Sequence, residues 1–161
     1  MGRIMTQKAS LVRPSENGIR AKDLASLLPF FKEGRQGNLF PAAVRTFPDF
    51  MAINGHHRLF LADLFDVEIG MFGVEREYDL MHISDFPGWD GAYLWEQNIR
   101  IAFLYNDVPG RVGAMEKRGI LTFEDLRLGY GARDAGDLEK YLRWQCPDEL
   151  AKGYEALRAV S

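Results

Sequence analysis

Cysteine is nearly absent from this chain, and its scarcity excludes two kinds of structure. Cys146 is the only cysteine among 161 residues, so an intramolecular disulfide and a zinc site built from several thiolates are both excluded. No apolar run approaches the length needed to cross a bilayer, and residues 1–10 lack the apolar core of a signal peptide. We therefore expect a cytoplasmic protein that does not insert into membranes.

An excess of positive charge is also missing. Lysine and arginine number 20 against 23 acidic residues, so the net charge is −3, and the chain as a whole is not a basic nucleic-acid binder. A local basic patch remains compatible with this balance. The hydrophobic fraction of 47% is enough for a packed core, and the length suits one domain with a small appendage.

Apolar spacing and turn-forming residues predict an α+β order in the first half of the chain. Residues 1–8 are expected to be flexible, and a strand is expected at Ser10–Arg13. The further predicted elements are a helix at Ala21–Glu33 that Pro29 kinks or splits, hairpin strands at Ala42–Phe47 and Phe50–Ile53, a helix at His56–Phe65 and a strand at Val67–Val74. This order predicts a mixed sheet with helices. The chain lacks G-x-G-x-x-G and G-x-x-x-x-G-K-[ST], which excludes Rossmann and P-loop nucleotide folds.

Helical spacing dominates the second half. Residues 75–91 are irregular, and helices are predicted over 92–104, 107–119, 122–126, 134–145 and 147–160. We expect residues 9–91 to form the main domain and residues 92–161 to form a helical extension packed on it.

The stretch Asn54-Gly55-His56-His57-Arg58 carries most of the predicted chemistry. It links an apolar strand to an apolar-periodic helix, and unpaired N–H groups at such a helix start bind phosphate. Glycine lets a backbone approach a ligand closely, while the histidines and the arginine add hydrogen-bond donors and positive charge. The alternative is an ordinary helix start, at which Asn54 is a cap residue, one histidine packs inward and Arg58 forms a structural ion pair.

Residues on either side of this turn, taken with the turn itself, resemble the pattern of a known family. They are Val12-Arg13-Pro14 with Glu16 and Arg20, a helix ending at Gly34, the strand Phe40-Pro41-Ala42-Ala43-Val44, and Ile53 and Leu59 on either side of the turn. Together these features resemble the ParB/sulfiredoxin superfamily over about residues 9–74. Sulfiredoxins carry a catalytic cysteine within the turn, where this chain has His56, so sulfinic-acid reduction is not expected. Chromosome-partition proteins carry Gly-Glu-Arg-Arg and a helix-turn-helix domain, so a nucleotide-driven DNA clamp is disfavoured.

The histidine form of the turn is similar to two other branches. One contains free-serine kinases, in which an early glutamate acts as the base, and Glu16 occupies the comparable place. The other contains plasmid-encoded ParB-like proteins with nucleotidase and DNase activity, including the Osa-type fertility-inhibition proteins. Chain length and the helical second half are most like the second branch. The resemblance implies a nucleotide-binding phosphohydrolase with ATPase and DNase activity, which acts on plasmid DNA transfer by a competing conjugation system.

The resemblance also implies a site and its ligands. Catalysis would fall to Glu16, His56, His57 and Arg58, and ATP would be held by Asn54, Gly55, His56, His57, Arg58 and Arg20. A divalent cation, expected to be Mg²⁺, would bridge the phosphates with Glu16 as a ligand. The expected partners are nucleotide, DNA and a conjugation or type IV secretion component.

Two alternative functions stay open. One is a small-molecule kinase on the same fold, which would transfer phosphate to a hydroxyl such as that of serine. The other is a catalytically inactive protein that binds a conjugation partner, because Asn54 replaces the usual aspartate of the motif. Glu16 and Arg20 also have plain interpretations, as a solvated loop acid and a surface charge at a helix start.

Several further residues are secondary candidates. Arg13, Arg35 and Arg45 are candidates for a basic surface near the turn. Asp23 lies in the first turn of a predicted helix, where an acid is favoured without any function. The remaining candidates are His82 and Asp85, which would approach the site, and three tryptophans expected to be core or interface anchors, Trp89, Trp95 and Trp144.

Overall fold

In this computed structural model, the described part of the chain comprises residues 3–76, residue 79 and residues 105–160. A four-stranded mixed sheet lies at its centre. In chain order the strands are β1 (Arg3–Lys8), β2 (Ala42–Arg45), β3 (Met51–Ala52) and β4 (Glu68–Val74). Their spatial order is β1-β4-β2-β3. Strand β4 is parallel to β2 and antiparallel to β1, whereas β2 and β3 form an antiparallel hairpin.

Helices occupy most of the remaining described chain. They are α1 (Ala21–Lys32), α2 (His56–Phe65), α3 (residues 105–117), α4 (Phe123–Tyr130), α5 (Ala135–Gln145) and α6 (Pro147–Ala159). Helix α4 begins with a capping box, in which Thr122 and Asp125 each accept the other's backbone N–H. None of the helices in these residues combines the length and apolar character that a membrane crossing requires.

The two faces of the sheet are covered by different helices. On one face, the large hydrophobic cluster joins β2 and β4 to α1, α2, α4, α5 and α6. On the other face, Phe72 and Val74 pack with Tyr105, Val108 and Val112 from α3. Because successive strand residues point to opposite faces, Ala42 and Val44 belong to the first cluster and Ala43 to the second. The turn between β3 and α2 lies between these layers.

Most predicted elements are confirmed within the described residues. Helix α2 has its predicted bounds, and α1 is one residue shorter than predicted. The hairpin is present with shorter strands, and helices occur near the predicted positions in 107–119, 122–126, 134–145 and 147–160. The mixed α+β class is therefore confirmed. The predicted helix at residues 92–104 and most of the irregular stretch at 75–91 lie outside the described residues.

The prediction for the N-terminal segment is wrong. Residues 1–8 were expected to be flexible, but β1 pairs antiparallel with β4 in continuous register, from Arg3 opposite Gly73 to Lys8 opposite Glu68. The segment is largely polar and carries little strand signal of its own, and the open edge of β4 supplies its hydrogen-bond partners. The strand expected at Ser10–Arg13 is instead a short 3-10 turn, Ala9–Leu11, followed by a single bridge between Arg13 and Met51.

Pro29 does not split α1, which was one of the two effects expected of it. The helix continues through Pro29 to Lys32, with the proline side chain buried. Proline removes the N–H that would bond to the carbonyl of residue i−4, which here is Ala25. Gly153 of α6 lies over that carbonyl: a Cβ there would be 3.1 Å from the Ala25 oxygen and 2.7 Å from the Ser26 oxygen. The packing of α6 on α1 thus covers the Ala25 carbonyl, where the loss of a hydrogen bond to Pro29 was expected to kink the helix.

Candidate functional site

One cavity brings the predicted site residues together. It has a volume of about 380 Å³ and lies where the loop before α1, the start of α1, the segment before β2 and the turn into α2 converge. All seven residues predicted from the sequence line it: Glu16, Arg20, Asn54, Gly55, His56, His57 and Arg58. Six residues that were not predicted complete the lining: Asp23, Ser26, Leu27, Leu39, Phe40 and Ile53.

Gly55 shapes the turn for two independent reasons. Its φ of +89° lies in the left-handed region, which residues with a side chain rarely adopt. A Cβ at this position would also lie 2.7 Å from the Cβ of Ala42 and 3.0 Å from Nη2 of Arg58. Glycine is therefore required both by the backbone conformation and by the close approach of β2.

The start of α2 presents backbone N–H groups toward this turn. No side chain caps the helix at Gly55. The first N–H with a helical partner is that of Leu59, which donates to the Gly55 carbonyl at 2.9 Å. The amides of His56 and His57 precede that bond, so they belong to the orphan donors of a helix start, where the helix dipole favours negative charge.

His56 packs inward and is held by the loop before α1. Its side chain is 2% exposed, and its Nε2 accepts the backbone N–H of Ser15 at 3.1 Å. The Ser15 hydroxyl donates to the Ala52 carbonyl at 2.7 Å, which ties the same loop to β3. Since Nε2 accepts a hydrogen bond, the ring proton is assigned to Nδ1, which lies 3.6 Å from Oε1 of Glu16.

The electrostatics of His56 oppose a role as an acid or base near neutral pH. Burial lowers its pKa to about 3, with smaller electrostatic contributions from His57 and Arg111. The ring also lies 5.7 Å, centroid to centroid, from Phe123. Of the two interpretations drawn from the sequence, the inward-packing one describes His56. Its Nδ1 lies near the Glu16 carboxylate but, at 3.6 Å, beyond direct hydrogen-bond distance.

His57 makes the equivalent contact with the same loop, at Arg20 instead of Ser15. Its Nε2 accepts the backbone N–H of Arg20 at 2.9 Å and lies 3.6 Å from Oδ2 of Asp23. Burial lowers the pKa of His57; Asp23 opposes this shift, whereas Arg20 and Arg58 add to it. The ring is 16% exposed, so it reaches the cavity wall as a neutral group. The two histidines together fasten the loop carrying Glu16 to the start of α2.

Arg58 joins the turn to the segment that precedes β2. Its Nη1 donates to the Phe40 carbonyl at 2.8 Å, and its Nη2 donates to Oδ1 of Asn54 at 2.9 Å. Both of these acceptor oxygens are neutral. An aspartate in place of Asn54 would add a negative charge at this contact. Asn54 thus orients Arg58 without forming an ion pair with it.

Three charged groups lie on the opposite wall. Glu16 is 46% exposed. Arg20 places Nε 2.7 Å from Oδ2 of Asp23, and its side chain is 75% exposed. The cavity therefore combines the arginines Arg20 and Arg58 with the carboxylates Glu16 and Asp23, which suits a ligand that carries both phosphate oxygens and a site for proton transfer.

The carboxylates suit a magnesium–phosphate complex better than a protein-built metal cage. In the described residues, no group of three or more histidine, cysteine or acidic side chains is placed to hold a metal ion. Mg²⁺ is commonly bound through one or two carboxylates together with substrate phosphates. Glu16, as an accessible carboxylate on the cavity wall, fits that arrangement, and Asp23 is the second acid within the same cavity.

Sequence reasoning missed Ser15 and set Asp23 aside. Ser15 contributes through its backbone N–H, which no residue pattern reveals. Asp23 has the first-turn position expected of any helix acid, and only the folded position of His57 and Arg20 brings it to the cavity. The one available signal was the position of Asp23, three residues after the candidate Arg20 at the start of a helix.

The three arginines considered for a basic surface are engaged elsewhere. Arg13 pairs with Asp49 and Glu116. Arg35 donates to the carbonyls of Leu157 and Val160, and Arg45 donates to those of Phe47 and Tyr105. The expected approach of His82 and Asp85, and the packing of Trp89 and Trp95, fall outside the described residues. Trp144, expected to be an anchor in the core or an interface, is 78% exposed on α5.

Comparison with known proteins adds no assignment, since no protein-family model, curated protein or solved structure matches this chain. The functional argument therefore depends on the cavity and on the sequence motif that lines it.

Proposed function

We propose that this protein is a nucleotide-binding phosphohydrolase of the ParB/sulfiredoxin type that hydrolyses ATP in the cavity described above. The observation that carries the proposal is the convergence of Arg20, Arg58, the uncapped start of α2 and the Glu16 carboxylate on one cavity of about 380 Å³. Its volume is within the range typical of small-molecule sites. Positive charge and backbone donors favour a polyphosphate, and the carboxylate favours proton transfer.

The phosphate groups would lie against the turn between β3 and α2. The amides of His56 and His57 and the guanidinium of Arg58 approach this point from one side, and Arg20 approaches from the other. Such donors stabilise the negative charge that develops on phosphate oxygens during transfer. The apolar side chains of Leu27 and Leu39 line the same cavity and would contact the less polar part of the nucleotide.

Glu16 is the proposed general base. Its carboxylate would accept a proton from water while the water oxygen attacks the γ-phosphorus, and the bond between that phosphorus and the bridging oxygen breaks to release ADP. The Nδ1–H of His56 lies 3.6 Å from Oε1, so a small shift of the Glu16 side chain on nucleotide binding would bring the carboxylate within hydrogen-bond distance of it. A bound Mg²⁺, for which Asp23 is the second carboxylate in the cavity, would supply further neutralisation of phosphate charge.

The same chemistry extends to DNA in our proposal. In phosphodiester cleavage, water would attack the phosphodiester phosphorus and the bond to one sugar oxygen would break, with the same charge stabilisation. Arg20 and Lys22, both exposed at the start of α1, are the proposed contacts to the DNA backbone. Following the resemblance to fertility-inhibition proteins, we propose that this activity is directed at DNA during transfer by a competing conjugation system.

The test is phosphate release from ATP, with plasmid nicking followed in the same buffer, with and without Mg²⁺. Glu16→Gln keeps the size of the side chain and is expected to reduce turnover by about 10²- to 10⁴-fold, the usual contribution of a general base. Arg20→Ala is expected to raise the KM for ATP about tenfold or more, as for the loss of a charge-assisted hydrogen bond. The matched controls are the exposed pair Glu33→Gln and Arg118→Ala.

A second candidate is a nucleotide-binding protein without turnover. It is favoured by the contacts of the turn itself, since His56, His57 and Arg58 all bond to the protein's own backbone. Binding of ATP without phosphate release in the wild type would favour this candidate over the hydrolase. Transfer of phosphate to added serine, in place of release into water, would favour the kinase alternative. Equal activity in wild type, Glu16→Gln and Arg20→Ala would contradict all assignments to this cavity.

A further inference from the structure

A second cavity, which shares no residue with the first, lies between the end of α4 and the outer face of α5. It has a volume of about 310 Å³ and is lined by Tyr130, Gly131, Ala132, Asp137, Leu138 and Tyr141. We call it the tyrosine cleft. Its size is at the lower end of the range for small-molecule sites, so it suits a compact head group better than a whole nucleotide.

Four aromatic side chains contact one another in series along this cleft. Tyr130 meets Phe60 edge to face with centroids 5.5 Å apart, and it meets Tyr141 edge to face at 6.5 Å. Trp144 is the next ring in this series, with its centroid 6.4 Å from that of Tyr141. Phe60 is fully buried, whereas Trp144 is 78% exposed. The series of rings therefore extends from the buried ring of Phe60 to the exposed ring of Trp144. Between them, the two perpendicular tyrosine rings form walls of the cleft.

The geometry of the two tyrosines suits a cation. A positive group is attracted to the face of an aromatic ring within about 6 Å of its centroid. The two ring planes are nearly perpendicular, at 80°, with centroids 6.5 Å apart, so a group seated in the angle between them would lie within this distance of both centroids. Burial raises the pKa of Tyr130 to about 12, so this wall remains a neutral phenol at physiological pH. Tyr141 is 43% exposed and keeps its side of the cleft open to solvent.

Charge in and around the cleft also favours a cation. Asp137 lies one helical turn before Tyr141, on the same face of α5, and contributes a carboxylate to the lining. The cleft adjoins the end of α4, where the helix dipole is negative. Of the cations near the cleft, Arg127 pairs with Asp63 at 2.7 Å and also donates to the carbonyls of Ala132 and Arg133.

We propose that the tyrosine cleft binds an organic cation, namely a substituted ammonium or a guanidinium group. The two tyrosine rings would enclose the apolar surface of the head group, and Asp137 would oppose its charge. Such a group is carried either by a free small molecule or by a lysine or arginine side chain. The two sources share the same recognition chemistry and are separated by experiment.

The test is a titration of the full chain with choline, followed by the amide NMR signals of α5. The matched probe is 3,3-dimethyl-1-butanol, which has nearly the same shape and no charge. We expect choline to shift the signals of Asp137, Leu138 and Tyr141, and the neutral alcohol to shift them much less. Equal concentrations of sodium chloride control for ionic strength. Equal shifts with both probes, or none with choline and none with the peptide described below, would overturn the proposal.

Variants separate the roles of the ring and the carboxylate. Tyr141→Leu removes one aromatic wall and is expected to weaken choline binding about tenfold, whereas Tyr141→Phe keeps the wall and should bind nearly as the wild type does. Asp137→Asn should weaken binding by a similar factor. Its control is Asp148→Asn, which removes an acid from the first turn of α6. Loss of binding in both tyrosine variants, or in both asparagine variants, would contradict this assignment.

A short unstructured peptide with a single arginine distinguishes the two sources. If the peptide binds more tightly than choline and loses this affinity in Tyr141→Leu, the cleft accepts a side chain from a partner protein. If choline binds and the peptide does not, the ligand is a free small cation. Either result supports the cleft as a cation site, because both require the same ring and carboxylate.

Discussion

At the scale of single residues, the cavity is held together by hydrogen bonds to backbone groups. His56 and His57 each accept a backbone N–H from the loop that carries Glu16, at Ser15 and at Arg20. An acceptor nitrogen must be unprotonated to make such a bond. The loop is therefore fastened to α2 only while both rings are neutral, which links the shape of the cavity to pH.

This arrangement predicts how stability changes with pH. Burial lowers the pKa of His56 from 6.5 to about 3, so as pH falls through 6.5 the unfolded chain gains a proton that the folded chain does not. Stability should therefore decrease as pH falls from about 6.5 towards 3, by up to about 1.4 kcal/mol per pH unit. The lowered pKa of His57 adds an effect of the same sign. Urea unfolding at a series of pH values measures this slope.

The matched variant is His56→Gln, whose side-chain oxygen can accept the Ser15 N–H without titrating. Between pH 6.5 and about 4.5, the window above the ordinary carboxylate range, its unfolding free energy should depend less steeply on pH than that of the wild type. An unchanged slope would mean that His56 is not the titrating group.

At the scale of helices and strands, α6 is seated on α1 through a glycine. The Cα of Gly153 lies over the carbonyls of Ala25 and Ser26 and against Pro29. Gly153→Ala should destabilise the fold by about 1–3 kcal/mol, because the new methyl group would overlap a backbone oxygen. The control is Gly129→Ala in α4, where nothing lies within 4 Å. There alanine should be neutral or stabilising by about 0.5–1 kcal/mol, as its helix propensity is higher. Thermal unfolding of both variants is the measurement, and equal losses would contradict close packing at Gly153.

The helices and strands differ in how well the sequence alone predicts them. Helix α2 was predicted with its bounds because a glycine turn precedes a clear apolar period from Leu59 onwards. Strand β1 was not, because its hydrogen bonds come from β4, whose paired residues lie 60 to 70 positions away in the chain. The candidate site was predicted at the turn, where local residue types carry the signal. Ser15 and Asp23 were not, since their contributions depend on how α1 is placed against α2.

At the scale of the whole molecule, the helical second half shares one core with the sheet. Phe123, Leu142 and Leu150 lie in the same buried cluster as Leu28 and Phe60. Polar contacts also join the helices of the second half to α1 and α2. Arg127 of α4 pairs with Asp63 of α2, and Lys32 of α1 bonds to Glu139 of α5 and Tyr154 of α6. A core of this kind is expected to form or melt as one unit.

Unfolding in urea should therefore be a single transition by probes placed in both halves. The hydrogen exchange of the α5 amides reports on the second half, and that of the β4 amides reports on the sheet. Leu142→Ala, at a fully buried position, should destabilise both signals equally, by about 2–5 kcal/mol. The exposed control Leu128→Ala should change either signal by no more than about 0.5 kcal/mol. If Leu142→Ala weakened the protection of the α5 amides and left β4 exchange unchanged, the second half would be an independent unit, and the position of α1 at the cavity would not depend on α5 and α6.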